Sequence, residues 1–268
     1  MRIIIVIIWG MLLMTSCNQQ IINRDSTVCK IDLKKTISPS FYDYFSRVEI
    51  IPLETSENSL IKYVGERIYH DSKYYILDTP QKKILVFDEN GNFLYDINKH
   101  GNGPGEYTEL YSFYFNPFTG DLDLLSPMGG ILRYDSLGQN FKEKIPLPLT
   151  VPAVHQFIAL DKDTYLLFSD SREGNKMVVY NIVQRKIISE LYDLPKFLLF
   201  NTFYHHTYSP FYICEGKVHF VQSYNGDVFT FENNSLIPKY HWDFGEQNFE
   251  ISDLKDEPMA VSYTHLTL

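Results

Sequence analysis

The stretch that decides the fold reads Ile84-Leu85-Val86-Phe87-Asp88-Glu89-Asn90-Gly91, and it recurs three more times along the chain. Residues 131–138 repeat the same apolar run and turn, and residues 177–181 and 227–233 repeat it in a more worn form. The aromatic anchors of the four copies are 47, 46 and 51 residues apart: Phe87, Tyr134, Tyr180 and Phe231. A fixed period of this length in strand-like sequence is typical of a β-propeller, in which each repeat forms one blade.

Each repeat divides into four short apolar segments, which we expect to be the four strands of a blade. The Asn90-Gly91 pair between two apolar runs predicts a tight hairpin with positive φ at both positions. No segment keeps an apolar period of 3.6 residues, so we expect almost no helix. The expected strands are 64–69, 73–77, 83–87 and 92–97 in blade 1, 112–115, 121–125, 130–134 and 141–147 in blade 2, 154–160, 164–168, 176–180 and 186–191 in blade 3, and 210–214, 217–222, 228–231 and 236–244 in blade 4.

The segment Val48 to Leu53 reads as a single strand outside these repeats, with Pro52 suited to an edge or a strand end. We expect it to join the last blade and seal the ring. Four blades do not close comfortably around a packed core, so the sequence predicts an all-β propeller of six blades when complete. This chain would hold about four of them, in an incomplete propeller over 46–260. Residues 261–268 do not continue the pattern, and we expect them to be a non-native tail on a truncated chain.

The composition excludes some classes of protein. The chain has 268 residues, of which 44% are hydrophobic and 15% aromatic, enough for a packed core. Its 20 Tyr and 19 Phe against 2 Trp suit strand-rich structure. The formal net charge of −9, without any basic run, argues against binding to nucleic acid.

The N-terminus has the pattern of an export signal. Arg2 is followed by an apolar run of 12 residues, Ile3 to Met14, too short to span a membrane. Met14-Thr15-Ser16-Cys17 resembles the lipobox of bacterial lipoproteins. We therefore expect a signal peptide over 1–16, a lipid on Cys17 that attaches the protein to a membrane, and an irregular tether over 17–45. The alternative is an ordinary signal peptide with an incidental cysteine.

Two further cysteines remain, Cys29 and Cys214. Export permits a disulfide, but two cysteines with one in the N-terminal arm are weak evidence for one. We expect Cys214 to be buried and inert, because it lies in a strand-like segment.

The segment Gly101-Asn102-Gly103-Pro104-Gly105-Glu106-Tyr107 resembles the GxGPGEY motif of six-bladed β-propeller lipoproteins from Gram-negative gut bacteria. Residues 51–55, 75–78, 86–91 and 134–138 also resemble the opening strand, blade strands and turns of that family. The resemblance implies an NHL-like propeller in the cell envelope and supplies no catalytic residues. Surface lipoproteins of such bacteria usually carry acidic residues directly after the lipidated cysteine, whereas Asn18 to Ile22 follow Cys17 here. The periplasmic and the outward face of the outer membrane therefore both stay open.

Two loops are candidates for a ligand face. The loop Gly101 to Tyr107 lacks the Gly-Lys-Ser/Thr ending of a phosphate-binding loop and does not open a helix. Its glycines suit a crowded crossing between blades, with ligand contact as the alternative. The segment Tyr204 to Tyr208 would lie in the crossing between blades 3 and 4, on the same face, either as an exposed aromatic-rich loop or as part of a site for a sugar or peptide. The candidate ligand face therefore comprises Glu106, Tyr107, Tyr204, His205, His206 and Tyr208.

Catalytic and metal signatures are weak. Asp121-Leu122-Asp123 and Asp161-Lys162-Asp163 resemble fragments of a Ca²⁺ loop but lack its other ligands, and backbone capping at turns accounts for both. We therefore expect no metal, no cofactor and no catalytic residue that can be named. The favoured hypothesis is a lipid-anchored envelope propeller that binds a glycan, peptide or protein. The alternative is a hydrolase or lyase that acts at the mouth of the central channel.

Overall fold

The computed structural model describes residues 26–35, 37–127, 129–151, 154–169, 175–193, 211–221 and 226–248. The only helical structure in these ranges consists of two 3₁₀ turns of three residues, Phe41–Asp43 and Gly245–Gln247. This confirms, for these ranges, the expectation of almost no helix. No helix in the described ranges has the length and apolar character needed to cross a membrane. The strands are β1 Thr27–Lys30, β2 Arg67–His70, β3 Lys73–Asp78, β4 Lys83–Asp88, β5 Phe93–Ile97, β6 Ser112–Phe115, β7 Leu122–Ser126, β8 Gly130–Tyr134, β9 Phe141–Ile145, β10 Val154–Ala159, β11 Thr164–Ser169, β12 Asn175–Asn181, β13 Lys186–Asp193, β14 Phe211–Cys214, β15 Lys217–Val221, β16 Asp227–Glu232 and β17 Ser235–Asp243.

Strands β2 to β17 form four antiparallel sheets of four consecutive strands each. Each sheet is one blade: β2–β5 is blade 1, β6–β9 is blade 2, β10–β13 is blade 3 and β14–β17 is blade 4. All sixteen blade strands expected from the sequence are confirmed, each within a few residues of its expected bounds.

The hydrophobic core lies between successive blades. One cluster of buried side chains joins blades 1 and 2, a second joins blades 2 and 3, and a third joins blades 3 and 4. The sheets therefore follow one another as in a ring, and the expected all-β, propeller-like fold is confirmed with four blades.

The aromatic anchor of each repeat packs toward the blade before it. Tyr134 of blade 2 belongs to the cluster shared with blade 1, Tyr180 of blade 3 to the cluster shared with blade 2, and Phe231 of blade 4 packs on the cluster shared with blade 3. The phenol of Tyr134 donates a hydrogen bond to the backbone carbonyl of Gly105, and that of Tyr180 to the carbonyl of Pro146 at 3.1 Å. Both carbonyls belong to the crossing that enters the anchor's own blade, so each tyrosine holds that crossing in place.

The anchor of blade 1, Phe87, packs against a chain segment in place of a preceding blade. Residues 51–61, here called the strap, place Leu53 and Ile61 against Ile76, Leu85 and Phe87. The strap is held at the nearby hairpin, where the Glu54 N–H donates to the Gly91 carbonyl at 2.8 Å. Residues 48–53 form no strand, so the expected strand that joins the last blade is wrong there.

A different N-terminal segment extends the last sheet. Strand β1 pairs in parallel with β17, with Thr27 opposite Tyr240 and Lys30 opposite Asp243. The Ile31 N–H continues this pairing by donating to the Asp243 carbonyl at 2.8 Å. The expectation of an irregular tether over 17–45 is therefore wrong for residues 27–30.

The hairpin at Asn90-Gly91 differs from the expected two-residue turn. Only Gly91 has a positive φ, 85°, and the Gly91 N–H donates to the Asp88 carbonyl at 3.1 Å. The ladder between β4 and β5 shifts register beside it, as in a turn that ends in a glycine bulge. The carboxylate of Asp88 accepts from the N–H groups of Asn90 and Asn92 at 2.9 and 2.8 Å and from the Asn92 side chain, which lowers the pKa of Asp88.

The two cysteines within the described ranges are free. Cys29 is half-buried in β1, and Cys214 is exposed at the end of β14. The expectation that Cys214 is buried is wrong, because its position at the strand end leaves the side chain on an open face of blade 4.

Candidate functional site

The glycine-rich loop 101–107 folds back on itself. The Gly101 N–H donates to the Tyr107 carbonyl at 2.9 Å, and the Glu106 N–H donates to the Gly103 carbonyl at 3.0 Å. The carboxylate of Glu106 accepts from the Gly103 N–H at 2.7 Å and lies where a side chain on Gly101 would be. The loop thus uses its own acidic side chain to satisfy its backbone, which accounts for the glycines without a ligand.

Tyr107 is an anchor of this crossing. Its side chain is 2% exposed within the cluster between blades 1 and 2. The phenol donates to the Lys82 carbonyl at 2.9 Å and accepts from the Lys99 N–H at 3.2 Å, and burial raises the pKa of Tyr107 to about 12. Tyr107 therefore lies in the core, contrary to its expected place on a ligand-contacting surface.

The remaining predicted site residues fall into two groups. Glu106 is exposed at the loop, with its carboxylate engaged as described. Tyr204, His205, His206 and Tyr208 lie outside the described residues, as do Cys17, the predicted signal peptide and the predicted tail.

The structure brings together three polar side chains that the sequence analysis did not single out. Glu66 directly precedes β2, Ser112 opens β6, and Gln156 lies in β10, so each comes from the first strand region of a different blade. The Ser112 hydroxyl donates to Glu66 Oε2 at 2.7 Å and lies 3.5 Å from Gln156 Oε1. The Phe113 N–H also donates to Glu66 Oε2, at 3.1 Å.

These contacts place the three side chains toward the axis of the ring. Because β6 is the first strand of its sheet, one of its edges has no strand partner, and the Phe113 N–H reaches Glu66 from that edge. The same edge receives contacts from blade 1 on one side and blade 3 on the other. The first strands of three successive blades therefore converge at Ser112.

An aromatic pair lies beside this convergence. The rings of Tyr111 and His155 stack with centroids 5.4 Å apart and planes inclined by 24°. Tyr111 is 40% exposed and His155 is half-buried, so the pair offers a flat surface with polar edges. We call Glu66, Tyr111, Ser112, His155 and Gln156 the axial cluster.

Glu66 is the one carboxyl group of the axial cluster. Burial raises the pKa of Glu66, and the hydrogen bonds from Ser112 and the Phe113 backbone oppose that rise only in part. Among the described residues, no Lys, Arg or His forms an ion pair with Glu66, so its charge has no compensating partner there. Carboxyl groups with raised pKa values in clefts are candidates for function.

A polar network around Asp123 is fully buried and has the opposite character. Arg133 Nε donates to Asp123 Oδ1 at 2.8 Å, and the phenol of Tyr165, from blade 3, donates to Asp123 Oδ2 at 2.5 Å. Asn116 Nδ2 donates to the Tyr165 oxygen at 2.7 Å. Asp123 is fully buried, but its charge is matched by Arg133, so this network joins blades 2 and 3 and leaves no group for a ligand.

These contacts correct one interpretation of the paired aspartates. Asp123 is a strand residue in an ion pair, and Asp121 binds the Lys142 ammonium group, so neither is the turn cap expected from the sequence. Asp161 is such a cap, because its Oδ1 accepts from the Asp163 N–H at 2.7 Å.

Residues 27–266 match a family model described as a domain of unknown function, DUF4934. This chain belongs to the DUF4934 family. No curated protein matches it.

Several solved structures resemble this DUF4934 chain. A Bacteroides fragilis protein designated as exported matches with a TM-score of 0.64 and 17% identity over 81% of this chain and 60% of that protein. A DUF4221 protein of Bacteroides vulgatus matches with a TM-score of 0.48 and 11% identity, covering 72% of this chain and 61% of that one. The WD40 β-propeller domain of Doa1 matches with a TM-score of 0.41 and 12% identity, covering 63% and 50%. The chain thus spans less than two thirds of the length of the B. fragilis protein, whose likeness concerns the fold alone.

The sequence did contain a signal for the axial cluster. Glu66 and Ser112 are 46 residues apart, and Ser112 and Gln156 are 44 apart, close to the spacing of the aromatic anchors. Aligning the repeats on their first strands, and not only on the third, would have brought these three polar residues into one column.

Substitution of Gly105 tests the packing of the crossing. Gly105 has φ 81°, and a Cβ there would lie 2.5 Å from Phe141 Cγ, whereas Gly120 has φ 72° with nothing within 4 Å. We expect Gly120→Ala to cost about 1 kcal/mol from backbone strain alone, and Gly105→Ala about 3 kcal/mol because the clash is added. Denaturant unfolding of both variants measures the difference, and equal losses would contradict the packing described.

Substitution of Glu66 tests the cost of its half-buried charge. Because its folded pKa is raised, Glu66 costs no stability below the unfolded pKa, and the cost grows as the pH rises through the folded pKa. In EDTA, which removes divalent cations, we expect Glu66→Gln to be more stable than the wild type at about pH 8 and equal to it at about pH 3.5. Glu89→Gln, on an exposed turn, is the control and should show no such difference. A Glu66→Gln effect that does not change with pH would refute the assignment.

Proposed function

We propose that this DUF4934 protein is a lipid-anchored β-propeller of the cell envelope that binds a glycan or peptide at its axial cluster, without catalysis. The observation that carries the proposal is the stacked pair Tyr111 and His155 beside the polar groups of Glu66 and Gln156. Such a surface can stack on a sugar ring or an aromatic side chain and hydrogen-bond to its edges.

The loops around the axial cluster complete the proposed ligand face. Glu106 lies in the crossing that leads into β6, at the same end of the blades as Tyr111. The crossing between blades 3 and 4 contains Tyr204, His205, His206 and Tyr208, which we keep on the ligand face as a proposal from the sequence. Crossings at one end of a propeller are suited to this role, because rigid blades position them while their sequences vary.

The cell envelope is proposed on two grounds. The segment Met14 to Cys17 has the lipobox pattern, and the B. fragilis protein of similar fold is designated as exported. Bacterial lipoproteins carry more than one acyl chain, which makes membrane attachment stable. The chain has four blades and covers 60% of the B. fragilis protein. This proportion supports a complete propeller of six blades.

One observation favours a second function, that of a hydrolase or lyase. Burial raises the pKa of Glu66, and a raised pKa is common among carboxylic acids that act as general acids in enzymes. Two features weigh against it. Ser112 is 1% exposed, too little for a glycan or peptide substrate to reach its hydroxyl as a nucleophile. Glycoside cleavage uses two carboxyl groups, whereas the axial cluster has one.

Ligand binding is tested with the full chain in detergent on panels of glycans and peptides. We expect Tyr111→Ala and His155→Ala each to weaken binding by about tenfold through loss of the stacking surface. Phe118→Ala is the matched control, since this exposed aromatic follows β6 and lies at the opposite end of that strand. Equal affinity in all three variants would exclude the axial cluster as the binding surface.

The same panels decide between binding and catalysis. Binding without turnover supports the proposal. Turnover of any panel member that is lost in Glu66→Gln would replace it with the enzymatic function.

Membrane attachment depends on Cys17. We expect Cys17→Ser to move the protein from the membrane fraction to the soluble fraction and to abolish incorporation of labelled palmitate. Cys29→Ser is the control and should keep both. Protease treatment of intact cells then decides between the periplasmic and the outward face. Retention of labelled lipid in Cys17→Ser would contradict the lipobox.

A further inference from the structure

We propose that Glu66, Ser112 and Gln156 form a cation site on the axis of the propeller, with Ca²⁺ as the preferred ion. The site goes beyond the proposed ligand binding and does not depend on it. It also departs from the expectation of no metal, which rested on sequence signatures alone.

The three side chains of the proposed site have the chemistry of cation ligands. Each presents an oxygen: a carboxylate, a hydroxyl and a side-chain amide carbonyl. Hard cations such as Ca²⁺ prefer oxygen ligands of these kinds. No group of three or more His, Cys, Asp or Glu that could hold a metal occurs in the described ranges, so a search limited to those residue types would miss this set.

The oxygens of the proposed site lie close to one another. Ser112 Oγ lies 2.7 Å from Glu66 Oε2 and 3.5 Å from Gln156 Oε1. Ligand oxygens held at about 2.3–2.6 Å from one Ca²⁺ ion come about this close to one another. The Ser112 oxygen is therefore held at separations from its two neighbours that suit a shared ion.

Hydrogen-bond acceptors outnumber donors at the proposed site. Ser112 has one hydroxyl hydrogen, while Glu66 and Gln156 both face it with acceptor oxygens. The Phe113 N–H supplies one more donor, to Glu66, and no donor contact to Gln156 Oε1 besides the long one from Ser112 is present in the described residues. A cation would satisfy the surplus of acceptors and neutralise a carboxylate that lacks an ion-pair partner.

The proposed affinity follows from the ligand set. One carboxylate and two neutral oxygens supply little charge, and water would provide the other ligands. Weak sites of extracellular modules bind Ca²⁺ with dissociation constants of about 10⁻⁴–10⁻³ M. Mg²⁺ requires a stricter octahedral arrangement and gives up its water reluctantly, so we expect it to bind more weakly.

The test is thermal unfolding of the EDTA-treated full chain in detergent at constant ionic strength. We expect CaCl₂ to raise the unfolding midpoint saturably, by roughly 5 °C at a hundredfold excess over the dissociation constant. MgCl₂ should produce a smaller rise, and NaCl none. Glu66→Gln should lose the rise, whereas Glu89→Gln, the same change on an exposed turn, should keep it.

Calorimetric titration of CaCl₂ provides a second measurement that does not depend on unfolding. We expect one site in the wild type and at least tenfold weaker binding in Gln156→Ala, a variant that keeps the carboxylate. If Gln156 rotates its amide to donate to Ser112, no ion is needed, and neither experiment will detect binding. That result would overturn the proposal, as would a Ca²⁺ effect retained in both Glu66→Gln and Gln156→Ala.

Discussion

The packing of one aromatic side chain per repeat against the preceding blade is the interaction on which the rest of this structure depends. Tyr134, Tyr180 and Phe231 each occupy the interface between their own blade and the one before it. Phe87 has no earlier blade among the described residues, and the strap covers it instead. Burying a large aromatic side chain contributes a few kcal/mol, so each interface has a strong reason to form in one register. Each repeat in the sequence therefore supplies the aromatic side chain for one interface between blades.

This packing also determines where the axial cluster lies. The phenols of Tyr134 and Tyr180 bind carbonyl groups in the crossings that lead into β6 and β10. Those crossings end at Tyr111 and close to His155, so holding them fixes the point at which the next first strand begins. Tyr107 adds a further attachment within the first crossing. The cluster is therefore positioned by the same contacts that hold the blades together.

The sequence predicted the regular parts of the fold and missed contacts between repeats. The sixteen blade strands could be predicted from short apolar segments and the turn residues between them. These signals lie within or directly beside each strand. The strap, β1 and the exposure of Cys214 depend on which segment lies against which sheet, and local pattern does not contain that information. Glu106 and Tyr107 illustrate the same limit, because one loop turns adjacent residues in opposite directions, outward and into the core. Glu66 was missed because its partners, Ser112 and Phe113, lie one repeat away in the sequence.

Two carboxylates, Glu66 just before β2 and Asp123 in β7, show how the fold treats charge that is removed from solvent. Asp123 is fully buried, and Arg133, Tyr165 and Asn116 surround it with donors. Glu66 is held by one hydroxyl and one backbone N–H, and burial raises its pKa. A partner side chain can offset the free-energy cost of burying a carboxylate, and blade 2 supplies such a partner for Asp123. Glu66 has no such partner among the described residues, and it lies next to the exposed ring of Tyr111 and the half-buried ring of His155. These two features distinguish the axial cluster from the Asp123 network. This difference in charge compensation, rather than the presence of acidic residues, is the reason why we propose the axial cluster as the ligand-binding site.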